Sequence, residues 1–175
     1  MAEAFRGEFY QKVDTKARVS IPAAFRRILD ADDAATAEFP RTRLIMVYGG
    51  KSRSFVECYS KSGADRLAAE VQLLPHGTRE RLKLERSLIT QSVTVEIDED
   101  GRIVLPPKVR EKMGLTAEDL TSAEAAFAGT LDRFQVWKRG TYESEVIAAD
   151  DEDDDDLLPG GADILSLLKP AEPGA

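Results

Sequence analysis

The hydrophobic and polar positions fall into short β-rich runs broken by turns, followed by helical stretches, and the order recurs twice. Glu8 to Val13 and Arg18 to Ile21 read as two strands around a tight turn. Pro22 then stands where a helix starts, because its missing N–H costs nothing there, and the helix is predicted to run to about Leu29. Leu44 to Val47 and Phe55 to Tyr59 read as further strands. Apolar residues at Leu67, Val71 and Leu74 mark one face of a helix over Asp65 to Leu74. Pro75-His76-Gly77 breaks it, and Thr78 to Gln91 resumes with Leu82, Leu84, Leu88 and Ile89, so a helical hairpin is expected. Ser92 to Ile97 and Arg102 to Leu105 repeat the paired strands, Pro106 begins a helix reaching Met113, and Gly114 is its natural stop. Arg133 to Lys138 takes the part of Phe55 to Ser60.

The recurrence extends to individual residues. Val13-Asp14-Thr15-Lys16-Ala17-Arg18-Val19-Ser20-Ile21-Pro22-Ala23-Ala24-Phe25-Arg26 lies without a gap over Ile97-Asp98-Glu99-Asp100-Gly101-Arg102-Ile103-Val104-Leu105-Pro106-Pro107-Lys108-Val109-Arg110. Asp, Arg, Pro and Arg coincide, and five apolar or small positions match in kind. A β-β-α-β unit of about 50 residues buries too little surface to stand alone. The fold expected is therefore α+β: two such units packed as an intramolecular pseudo-dimer around one core. Residues 5–60 form the first repeat, 61–91 the helical linker, 92–145 the second repeat and 146–175 a tail.

Charge divides the chain differently. The 175 residues carry a net charge of −8, and residues 150–175 alone account for all of it, with nine acids against Lys169. The body is neutral, yet residues 5–29 hold six bases against two acids. The run Asp150 to Asp156 is too like-charged to pack, which predicts a disordered acidic tail. No apolar run approaches a membrane span and no secretory signal opens the chain. One Cys and one His cannot form an internal disulfide or a zinc cage, and the single Cys fits a reducing cytoplasm. Cys58 reads as a buried structural thiol and His76 as part of a chain break, with nothing to orient them as a nucleophile and base. With no Gly-rich phosphate loop either, no enzyme and no cofactor is expected.

The doubled strand–Asp-x-x-x-Arg–strand–Pro–helix pattern, with Phe5-Arg6-Gly7 at the start, resembles the MraZ family over residues 5–145. MraZ proteins are similar to tandem forms of the AbrB-type swapped-hairpin DNA-binding fold. The resemblance implies a bacterial, cytoplasmic and nucleoid-associated transcriptional regulator of the division and cell-wall gene cluster. It also implies binding to direct repeats of double-stranded promoter DNA, and a ring of several subunits. One departure matters: Ala17 stands where family members commonly have Gly, which implies either a negative φ there or a strained turn. The tail after residue 149 lies outside the pattern.

DNA affinity rests mostly on phosphate neutralisation by Lys and Arg, and Arg is the commonest reader of guanine. Arg6, Lys12, Lys16 and Arg18, on or beside the first hairpin, are the candidate DNA contacts. The second turn surrounds Arg102 with Asp98, Glu99 and Asp100, which repel phosphate, so this repeat is expected mainly to complete the fold. Asp14 and Asp98 are assigned to the turns, accepting N–H bonds or holding the motif arginines. Pro22 and Pro106 are assigned to the helix starts, and Arg26 and Arg110 to the scaffold. Arg41, Arg43, Lys51 and Arg53 read as solvated loop bases rather than phosphate contacts. Ile164, Leu165, Leu167 and Leu168 in the tail fit either a solubilising segment or a docking motif for a partner or neighbouring subunit, and the tail acids could compete with DNA. The rival reading is an antitoxin-like or scaffold protein whose acidic tail binds a protein partner.

Overall fold

The computed structural model describes residues 3–152, 157–158 and 162–168. Eight strands and the helices between them build the body. They are β1 (Glu8–Lys12), β2 (Arg18–Ser20), α1 (Ala23–Asp32), β3 (Arg43–Val47), β4 (Phe55–Ser60), α2 (Lys61–Gln72) and α3 (Arg79–Leu84). Then follow β5 (Ser92–Glu96), β6 (Arg102–Val104), α4 (Pro107–Met113), β7 (Glu124–Gly129), β8 (Phe134–Lys138) and α5 (Arg139–Tyr142). The fold is α+β, as the patterning predicts.

The two repeats are interleaved. One antiparallel sheet has the order β1-β7-β8-β4-β3-β5, and β2 pairs with β6 in a separate two-stranded ribbon. Each repeat therefore gives its first strand to the other: β1 lies on β7 and β5 lies on β3. The registers correspond as well. Glu8 faces Ala128 as Ser92 faces Val47, and Leu44 faces Ser60 as Ala125 faces Lys138. Val136-Trp137 thus occupies the place of Cys58-Tyr59, and the repeats meet where β4 pairs with β8 at Val56 and Val136.

One continuous core lies between the inner sheet face, the ribbon and helices α1 and α4. Phe25 and Leu29, one helical turn apart, bury the inner face of α1 completely. The Phe25 ring packs on Phe5, Phe9 and Phe134 with centroids 5.4, 5.3 and 4.8 Å away. Val109 and Met113 fill the equivalent places on α4, which ends at Gly114 with φ +72°. Pro22 and Pro106 cap the two helices, without a side-chain hydrogen bond at either cap.

Three elements differ from their predicted form. Strand β7 was not expected, because Glu124-Ala125-Ala126-Phe127-Ala128-Gly129 is poor in β-branched residues. It is a central strand, and burial rather than propensity holds it. The small side chains on its outer face, Ala126 and Ala128, let Trp137 and Tyr142 pack closely. Helix α2 begins four residues earlier than its apolar spacing implies, because the Ser60 hydroxyl accepts the Gly63 N–H at 3.1 Å and caps it. Helix α5 continues through a π-helical turn, Glu143–Ile147, into α6, Ala148–Glu152, so ordered helix extends past residue 146. Tyr142, Val146 and Ile147 pack that helix on the sheet's outer face. The disorder expected for residues 153–156 lies outside the described residues.

The outer face also holds a buried carboxylate. Glu57 receives Arg53 at 2.8 Å, Arg133 at 2.6 Å and the Tyr59 hydroxyl at 3.0 Å. Arg53, expected to be a solvated loop base, is instead a partner of this buried charge, and Arg133 comes from the second repeat.

At Gly129 an added Cβ would lie 2.6 Å from the Phe5 backbone, whereas at Gly140 it would meet nothing within 4 Å. Gly129→Ala is expected to cost about 1–3 kcal/mol through overpacking. Gly140→Ala, within α5, should stabilise by roughly 0.5–1 kcal/mol. Urea unfolding midpoints that move together, or in the opposite order, would contradict this account of the strand approach.

Candidate nucleic-acid interface

The Asp-x-x-x-Arg segments are the turns before β2 and β6. In the first, Asp14 Oδ1 accepts the N–H groups of Lys16 at 2.9 Å and Arg18 at 2.8 Å, and Oδ2 accepts Arg18 Nε at 2.7 Å. In the second, Asp98 Oδ1 accepts the N–H groups of Asp100 and Arg102, both at 2.9 Å. Backbone bonds complete both turns identically: Arg18 O receives the Asp14 N–H and Arg102 O the Asp98 N–H. Those N–H bonds stabilise the ionised form, so both carboxyls titrate below the ordinary aspartate range.

The position before each arginine has positive φ: +60° at Ala17 and +77° at Gly101. Ala17 is thus the strained alternative. The interleaving keeps it in place, because its carbonyl accepts the Leu105 N–H at 2.8 Å and its methyl is buried. A Cβ at Gly101 would collide with the Arg26 guanidinium at 1.8 Å, so Arg26 packs on the second turn.

The motif arginines part company at their guanidinium groups. Arg18 is held by Asp14, whereas Arg102 turns to Asp100 at 2.9 Å and leaves its Nε 3.7 Å from Asp98. That Nε is buried with no hydrogen-bond partner among the described residues.

Pairing of β2 with β6 brings both arginines to one surface. Val19 faces Ile103 and both are buried, which turns Arg18, Val104, Ser20 and Arg102 to the opposite, outer face. Val104 is 56% exposed there, an apolar side chain between charged ones. Of the bases predicted to contact DNA, Lys12, Lys16 and Arg18 gather at the first turn. Arg6 does not join them, because it lies six positions before Lys12, beyond Gly7 and the five extended residues of β1, a span of up to roughly 20 Å. Arg6, Lys12 and Lys16 form no salt bridge among the described residues. From Asp14 to Arg18 the net charge is +1, and from Asp98 to Arg102 it is −2.

Arg102 on the same face as Arg18 is the feature that reading the repeats one at a time misses. Its signal was present, because a gapless repeat gives both arginines the same phase in their strands. Arg43 is likewise no free loop base: Asp33 holds it with two bonds of 2.9 and 2.8 Å. The groups considered for nucleophilic chemistry lie apart in character. Cys58 is fully buried, with its thiol pushed up by desolvation, and His76 is exposed between α2 and α3. Among the described residues there is no cluster that could hold a metal ion, and no helix long and apolar enough to cross a membrane.

Residues 88–155 match the family model described as "MraZ protein, putative antitoxin-like". A protein of Cereibacter sphaeroides named transcriptional regulator MraZ is 53% identical over 170 residues, which is 97% of this chain and 98% of the relative. The chain belongs to the MraZ family. Proteins with the same name from Ruegeria pomeroyi and Parvibaculum lavamentivorans are 45% and 30% identical. Those matches cover 85% and 83% of this chain, and 86% and 83% of the relatives.

The turn carboxylates set an acid limit on stability. A lowered folded-state pKa contributes stability that is present above the unfolded value, about 4, and is lost as pH falls through the folded value. The double variant Asp14→Asn/Asp98→Asn should melt lower than wild type at pH 6, and the gap should narrow as pH falls below the unfolded aspartate value of about 4. Thermal melts across that range check it, and a gap independent of pH would refute it.

Proposed function

We propose that this chain is a transcriptional regulator that binds promoter DNA through the exposed face of the β2–β6 ribbon. The observation that carries the reading is the placement of Arg18 and Arg102 on one outward face, with Lys16 and Lys12 beside the first turn. A two-stranded ribbon fits the major groove, where an arginine can donate two bonds to a guanine. Lys12 and Lys16, unneutralised within the described residues, supply phosphate contacts. Asp14 holds Arg18 Nε, which leaves the terminal guanidinium nitrogens for the base edge. Arg6, at the far end of β1, serves a separate phosphate or none of this face.

The charge difference between the turns orients the protein on DNA, with the first turn closer to phosphate and the second held off by Glu99 and Asp100. One ribbon offers few contacts, so affinity for a single site is weak. A ring of subunits engaging consecutive direct repeats gains through effective concentration. Names of the relatives support transcriptional regulation. The division and cell-wall cluster as target, and residence at the nucleoid, come from the family resemblance.

Binding titrations on the chain's own upstream DNA, at several salt concentrations, test the reading. Lys16→Ala should reduce the slope of log affinity against log salt by about 0.9 and weaken all sequences alike. Arg18→Ala should reduce discrimination against random DNA by roughly 1–3 kcal/mol. DNA with several repeats should bind far more tightly than DNA with one. If Arg18→Ala binds normally and only melts earlier, the arginine belongs to the scaffold and the interface lies elsewhere.

A further inference from the structure

We propose that the apolar turn Ile164–Leu167, with Leu168, docks into a cleft between the N-terminal segment, helix α1 and the β7–β8 loop. The proposal is independent of DNA binding. The cleft has a volume of about 690 Å³, and Phe5, Ile28, Ala31 and Leu131 give it an apolar floor and wall. Leu131 is 65% exposed and has a φ of +75°, a conformation that glycine adopts freely and leucine does not. Its counterpart in the first repeat is Gly50, three residues beyond Val47 as Leu131 is three beyond Ala128, and Gly50 has φ +89°. The second repeat thus carries a strained, solvent-facing leucine where the first uses the unstrained residue. Folding does not require that leucine, whereas an apolar ligand in the cleft would use it.

The chain itself supplies a segment of the required chemistry. Ile164 and Leu167 on a short 3₁₀ turn, and Leu168 just after it, are 57%, 61% and 75% exposed. Eleven residues lie between Glu152 and Ile164, a reach of up to about 40 Å, against a radius of gyration near 15 Å for a body of this size. The sequence flanks the turn with Asp163 and Lys169, and the cleft rim also carries both signs, in Arg66 and in Glu3, Asp32 and Asp132. Docking would anchor the far end of the acidic run to the body and close the chain between them into a loop.

Disulfide trapping in the full-length chain tests the proposal. Cys58 is fully buried and does not compete. Under mild oxidation, the Ala31→Cys/Leu167→Cys protein should cross-link about tenfold or more faster than Glu80→Cys/Leu167→Cys, whose partner lies on α3. Adding Leu131→Asp to the first pair should remove that advantage, with the reduced protein still melting cooperatively. Equal rates for the two pairs would overturn the proposal, as would a rate indifferent to Leu131→Asp. If no cross-link forms while Leu131→Asp lowers the mass in solution, the cleft holds the surface of a second copy and the tail is not its occupant.

Discussion

Strand exchange is the constraint on which the structure depends. Neither repeat owns a complete sheet: β1 lies on β7, β5 lies on β3, and the ribbon takes one strand from each. Separating the halves would strip pairing N–H and C=O groups from all eight strands of the body and open the shared core. Backbone pairing and apolar burial thus act on the same contacts, and the repeats fold together or not at all. The Glu57 cluster reinforces this, because its buried carboxylate is neutralised by an arginine from each repeat. Removing both arginines would leave the Glu57 charge uncompensated out of water.

The exchange also creates the face through which DNA binding is proposed. Asp14 and Asp98 each close a turn by accepting two N–H bonds, which fixes where the following arginine leaves the backbone. Val19 and Ile103 then bury the inner side of the ribbon, so both arginines have only the outer side left. Symmetry of the backbone does not extend to the chemistry. Arg18 pairs with its own turn aspartate, while Arg102 turns to Asp100 within a surplus of acids. A pseudo-two-fold scaffold therefore presents an asymmetric electrostatic face.

Helix α5 and its continuation use the opposite side of the sheet. Ala126 and Ala128 make room for the Trp137 and Tyr142 rings, and the Tyr142 hydroxyl donates to Glu8 on the edge strand. The stem of the acidic tail is thereby fixed to the outer face, on the side of the sheet away from the core. Arg139 ties the start of this helix to Glu124 and Glu143 and covers the Tyr10 ring at 4.0 Å.

The sequence by itself determined what is local or repeated. Turn aspartates, the prolines before α1 and α4, the glycine stop after α4 and the helical hairpin around Pro75-His76-Gly77 all act over a few residues, and their signals are as short as their effects. The gapless repeat added the α+β pseudo-dimer, since two matching patterns too small to fold alone must share a core. Tertiary structure decided the rest. Strand β7 is held by burial among its neighbours, which an alanine-rich run does not announce. Arg43 looks like a loop base until Asp33 at the end of α1 is brought to it, and Arg53 until Glu57, four residues on, is buried in β4. Arg6 separates from the other bases because β1 is extended, and Arg102 joins Arg18 because β6 pairs with β2. Chain order encodes a strand's phase, but only pairing decides which face of which neighbour that phase meets.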